Sequence, residues 1–115
     1  MQFDMYTKIV YNIIKRIKER SLEIYNVVMK EKLALSLKKL PKHIVAKLTA
    51  WINAVGHDGL SEVKKIPGFH DEPLKGDRKG QRSIRLSKSY RAIYIINKAG
   101  QMEVVEIIEV NKHDY

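Results

Sequence analysis

Five side chains able to move protons, hold phosphate or stack on a base lie in the second half of this 115-residue chain: Glu72, Arg85, Arg91, His113 and Tyr115. Cutting RNA without a metal ion needs a base for the 2′-OH proton, cations to hold the phosphorane charge, and an acid for the leaving 5′ oxygen. Every role has a candidate here. Between Lys75 and Arg91 seven cations (Lys75, Arg78, Lys79, Arg82, Arg85, Lys88 and Arg91) stand against one acid, Asp77, so the local field favours a polyanion. Ile84 and Leu86 alternate with Arg85 and Ser87, and Tyr90, Ala92 and Tyr94 with Arg91, Ile93 and Ile95. That period of two puts Arg85 on a sheet face, and a hairpin through Lys88-Ser89 would bring Arg85 and Arg91 to one phosphate, the ligand a guanidinium fork fits best. Read structurally instead, Glu72 is a solvated loop carboxylate, Arg91 a sheet-surface arginine paired with Glu103 or Glu106, and His113 and Tyr115 part of a frayed terminus.

The elements that must position these groups are legible in the hydrophobic pattern. Tyr6, Ile9, Val10, Ile13, Ile14 and Ile17 recur at helical spacing, so residues 1–21 read as an amphipathic N-terminal extension ahead of a domain over 22–115. Leu22 to Met29, rich in β-branched residues, suits a first strand. Two helical pieces follow, about Lys32 to Leu40 and Pro41 to Val55, the second with an apolar stripe of Ile44, Val45, Leu48, Trp51, Ile52 and Val55. Gly56 and Gly59 are expected to stop it. Leu60 to Pro73 reads as a loop with a helical turn at Ser61 to Lys65, and His43, His57 and His70 as surface or structural histidines. Strands are expected at about Gln81 to Ser87, Tyr90 to Asn97 and Met102 to Val110; in the last, acids interrupt both alternating sets, so its inward face is not set by pattern. The order implies an α+β fold: a small antiparallel sheet of about four strands, two helices packed on one face, and the extra N-terminal helix.

Composition narrows the class. The formal charge of +9 favours phosphate-rich partners, and the absence of cysteine removes any disulfide framework or thiolate metal site. With no His pair at metal spacing and no acidic cluster, no metal or other cofactor is expected. Apolar runs too short to span a bilayer point to a soluble, cytoplasmic protein without a membrane partner.

Three motifs in order, Glu-Pro-Leu-Lys-Gly (72–76), Arg-Ser-Ile-Arg-Leu-Ser-Lys-Ser-Tyr-Arg-Ala-Ile-Tyr (82–94) and Glu-Val-Asn-Lys-His-Asp-Tyr (109–115), resemble the RelE/ParE superfamily of type II toxins, in particular its RelE, YoeB and HigB groups. The resemblance covers residues 22–115 and implies the small α+β fold, cleavage of mRNA on the ribosome by 2′-OH attack, and a cognate antitoxin over the active face. It implies Glu72 as general base, Arg91 as holder of the scissile phosphate, Arg85 as charge stabiliser, His113 as general acid and Tyr115 as a base-stacking or positioning group. Lys64, Lys65, Lys75, Arg78, Lys79 and Arg82 then read as a rim contacting ribosomal RNA. The set blends branches, with YoeB-like Glu72 and His113 inside a HigB-like sequence, which leaves the identity of the base open. Two other functions remain consistent with the sequence: a ParE-like inhibitor of DNA gyrase, which would need neither acid nor base, and a non-catalytic nucleic-acid-binding module.

Overall fold

The computed structural model describes residues 27–99 and 102–112. The N-terminal extension over 1–21 and the start of the first expected strand lie outside them. Eight elements of regular structure position the site: β1 (Val27–Met29), α1 (Glu31–Ser36), α2 (Lys42–Asp58), α3 (Leu60–Val63), β2 (Glu72–Pro73), β3 (Arg82–Arg85), β4 (Tyr90–Ala99) and β5 (Met102–Lys112). Short 3-10 turns at Leu37–Lys39, Pro67–Phe69 and Gly76–Arg78 join them.

The helix α2 forms where the apolar stripe predicts, because Ile44, Val45, Leu48, Trp51, Ile52 and Val55 are all buried along one side. Pro41 stands just before its first turn, where the missing N–H costs nothing, and its carbonyl accepts from Ile44 N at 3.0 Å. The helix does not stop at Gly56. A glycine inside a helix costs about 1 kcal/mol relative to alanine, too little to break a helix whose preceding turns are held by the buried stripe that ends at Val55. It ends at Gly59, whose φ of 84° turns the chain while its N–H still reaches Val55 O at 2.9 Å.

The sheet has strand order β1-β5-β4-β3-β2 and is mixed. The sheet departs from the expected antiparallel set of about four strands in two ways. The strand β1 runs parallel to β5, with Val27 opposite Val105 and Met29 opposite Ile107, a pairing that the long connection through the helices and β2 to β4 permits. Glu72 and Pro73, expected in a loop, add to β3 as a two-residue edge strand, and Pro73 is tolerated because an edge leaves one side of the ladder unpaired.

The helices cover one face of the sheet. Ile84, Ala92, Tyr94, Val105 and Ile107 join the α2 stripe, Leu37, Val63 and Phe69 in a single buried core, and Trp51 packs on Tyr94 with ring centroids 5.1 Å apart. The inward face of β5, ambiguous in the sequence, changes partway along the strand. Ile93 opposes Glu109 and Tyr94 opposes Ile107, so Ile108 is an extra residue in the ladder, a β-bulge. Before the bulge the odd residues Val105 and Ile107 face the core; after it Val110 does, opposite Ala92.

Candidate active site

The face of the sheet away from the helices carries the polar groups. Residues opposite one another in a ladder share a face, so two transverse rows can be followed across it. One row is Glu72, Ser83, Ile93 and Glu109; the next is Arg85, Arg91 and Asn111. Rows two residues apart along a strand are separated by about 7 Å, a span that one sugar-phosphate link can bridge between a carboxylate and a pair of guanidiniums.

Arg85 and Arg91 stand directly opposite each other across β3 and β4. Like charges in that position oppose pairing. Both side chains are partly buried, and Arg91 Nε is buried with no hydrogen-bond partner among the described residues. A buried donor left without an acceptor is costly, and an anion is a group that could satisfy it. The ion pairs weighed for Arg91 with Glu103 or Glu106 do not form: Glu103 is opposite Lys98, and Glu106 accepts from Asn97 Nδ2 at 2.9 Å.

A second group, missed in the sequence, fixes the entry to this face from the core side. Adjacent residues of an extended segment point to opposite faces, so the outward Glu72 is preceded by an inward Asp71. The Asp71 side chain is fully buried and accepts from Arg82 Nε at 2.7 Å and from Tyr94 Oη at 2.5 Å. Arg82, expected on the rim, therefore points to the helix side, in register with Tyr94, and serves the fold. Burial opposes the Arg82 charge, but the hydrogen bond and charge of Asp71 outweigh it and hold the guanidinium above its usual pKa.

Burial, and then the Asp71 hydrogen bond and charge, push the Tyr94 phenol well above its ordinary value. Its contribution to stability is complete below the unfolded tyrosine pKa of about 10 and drains away above it, because only the unfolded chain then ionises. Wild-type stability should thus fall as the pH rises beyond about 10, and Tyr94→Phe, weaker at neutral pH, should show a shallower fall. Urea titrations between neutral and alkaline pH measure both slopes.

The loop between β2 and β3 is fastened over the polar face. Arg78 Nη2 reaches Glu109 Oε2 at 2.6 Å while Arg78 Nε donates to Gln81 Oε1 at 2.8 Å. Glu109 is on β5, so the loop must fold across β3 and β4 to meet it. Ile93, beneath that crossing, is fully buried although it lies opposite the main core. Arg78 is in this way committed to an internal ion pair, whereas Lys75 and Lys79 of the same loop are exposed. Lys64 follows α3 and is partly exposed, and Lys65 pairs with Glu62 at 3.3 Å on the surface.

Two further contacts shape the approach to Glu72. Lys47 of α2 donates from Nζ to Gly68 O at 3.2 Å and lies 5.3 Å from the centre of the Phe69 ring, bracing the turn before β2. His70, read from sequence as a surface or structural residue, places Nε2 3.5 Å from Glu72 Oε2. His113 and Tyr115 lie outside the described residues. Among the described residues no three His, Asp or Glu side chains form a group able to hold a metal ion, and no helix is long and apolar enough to cross a membrane.

No protein-family model and no curated protein matches the sequence. Solved structures do. The YoeB/ParE toxin from Agrobacterium tumefaciens aligns at TM-score 0.55 and 22% identity, over 76% of this chain and 98% of that one. The toxin-antitoxin complex RelBE2 from Mycobacterium tuberculosis aligns at TM-score 0.52 and 25% identity, over 77% of this chain and 98% of that one. YafQ from E. coli aligns at TM-score 0.57 and 15% identity, over 75% of this chain and 90% of that one. The chain thus shares the fold of these bacterial toxins, that of the RelE/ParE-superfamily type II toxins.

Proposed function

We propose that this protein is the toxin of a type II toxin-antitoxin pair and a metal-independent endoribonuclease that cuts mRNA on the ribosome. The observation that carries the reading is the direct opposition of Arg85 and Arg91 on the polar face, in the row next to Glu72. Two guanidiniums facing each other across a ladder oppose pairing, and an anion seated between them relieves that opposition. In the proposed reaction Glu72 takes the proton from the 2′-OH, and the 2′ oxygen attacks the adjacent phosphorus. The two arginines hold the charge that builds on the non-bridging oxygens. The bond to the 5′ oxygen then breaks, His113 protonates the leaving group, and the products are a 2′,3′-cyclic phosphate and a 5′-OH end. Tyr115 stacks on a base beside the scissile link. A cognate antitoxin would cover this face.

The test is expression in growing cells followed by mapping of transcript ends, with the purified protein added to mRNA with and without ribosomes. Growth arrest with cuts that need ribosomes is the expected result. Intact transcripts beside gyrase-linked DNA breaks would replace this reading with gyrase inhibition, and binding without cleavage would replace it with a non-catalytic module.

Lys64, Lys65, Lys75 and Lys79 are proposed to contact the phosphates of ribosomal RNA. Replacing Lys75 and Lys79 by alanine should leave the rate on bound RNA intact while lowering the slope of log affinity against log salt by about one per lost phosphate contact. Ribosome binding measured over a salt series checks it.

A further inference from the structure

We propose that His70 is a positioning residue for Glu72, its imidazole holding the carboxylate in place on the polar face; this rests on the reading of Glu72 as the base. His70 Nε2 lies 3.5 Å from Glu72 Oε2, and His70 is the one side chain among the described residues that pairs with this carboxylate. Such a tether has something to do. Glu72 sits on a two-residue edge strand with its side chain 56% exposed, so an unassisted carboxylate would sample several rotamers. A general base has to come within about 3 Å of the proton it abstracts.

The backbone at His70 points the same way. With φ 47° and ψ 55° it occupies the left-handed region, and among the described residues it is the only one besides glycine with a positive φ. A bulky side chain is disfavoured there and glycine is the undemanding choice. Both neighbours hold the histidine in this conformation. On one side Phe69 is buried, Lys47 binds Gly68 O, and His70 N donates to Pro67 O at 3.0 Å. On the other, Asp71 is locked to Arg82 and Tyr94, and Glu72 is in register with Ser83. A strained residue over-determined from both sides, with its ring on a candidate base, fits a site requirement better than a fold requirement.

The experiment uses the full chain, with single-turnover cleavage of ribosome-bound mRNA at saturating toxin and thermal unfolding of every variant. His70→Gly removes the imidazole while suiting the backbone. It is expected to unfold no earlier than wild type, to bind ribosomes normally, and to cut on the order of 10-fold more slowly, since loose positioning costs less than the roughly 10²-fold of a full 1 Å displacement. His70→Gln, which retains an N–H donor, should recover part of the rate. In a Glu72→Gln background His70→Gly should cause no further loss, because its target is gone. A His70→Gly protein that cuts at the wild-type rate, or that loses the same factor in both backgrounds, overturns the assignment. Glu72→Gln at the wild-type rate would instead remove Glu72 as the base, a separate failure.

Discussion

Arg91→Ala is expected to slow cleavage of bound RNA by on the order of 10² or more, the scale of losing one preorganised donor to a developing oxyanion. The guanidinium is already in place before substrate arrives: it is partly buried, opposite Arg85, with Nε lacking a partner among the described residues. No reorganisation is then needed as charge builds on the phosphorane. The folded protein should not suffer, because the substitution also relieves the opposition of two cations across the ladder. Unchanged unfolding with a collapsed single-turnover rate is therefore the signature. Arg91→Lys should restore only a part, since an ammonium cannot offer a two-pronged contact to phosphate. If Arg91→Ala cuts normally, the paired arginines are not a phosphate clamp and the proposed mechanism fails.

Asp71→Ala should instead weaken the fold itself. The Asp71 carboxylate is fully buried, with Arg82 only 26% exposed beside it and the Tyr94 hydroxyl donating to its second oxygen. Removing one partner of a buried ion pair costs about 3 kcal/mol or more, since it strands the other charge, and here a tyrosine hydroxyl is stranded with it. Asp71→Asn keeps an acceptor for Tyr94 and should lose less. Urea unfolding measures both. Cleavage should fall as well, since Asp71 anchors the backbone on which Glu72 is mounted.

The contrast between these two residues shows how far the sequence could be read. The α2 stripe was legible to the residue because a 3.6-residue period sustained over about three turns fits a helix and little else. Arg85 and Arg91 were legible because strict alternation on two adjoining segments fixes both face and hairpin. Asp71 and His70 were not, because their roles depend on a left-handed turn and a two-residue strand, neither of which leaves a periodic trace. Arg82 was read with the basic run, but the alternation that puts Arg85 on the polar face puts Arg82, two residues before Ile84, on the core side, where it meets Asp71. The parallel pairing of β1 depends on contacts between segments about eighty residues apart, beyond the reach of local pattern.

Ile108 gives β5 a hinge in its parity rather than in its backbone. Upstream of it the strand answers to the hydrophobic interior, and downstream it delivers Glu109 and Asn111 to the surface that bears Arg91. Were Ile108 to take an ordinary place in the ladder instead, every residue after it would change face, turning Glu109 inward and Val110 out.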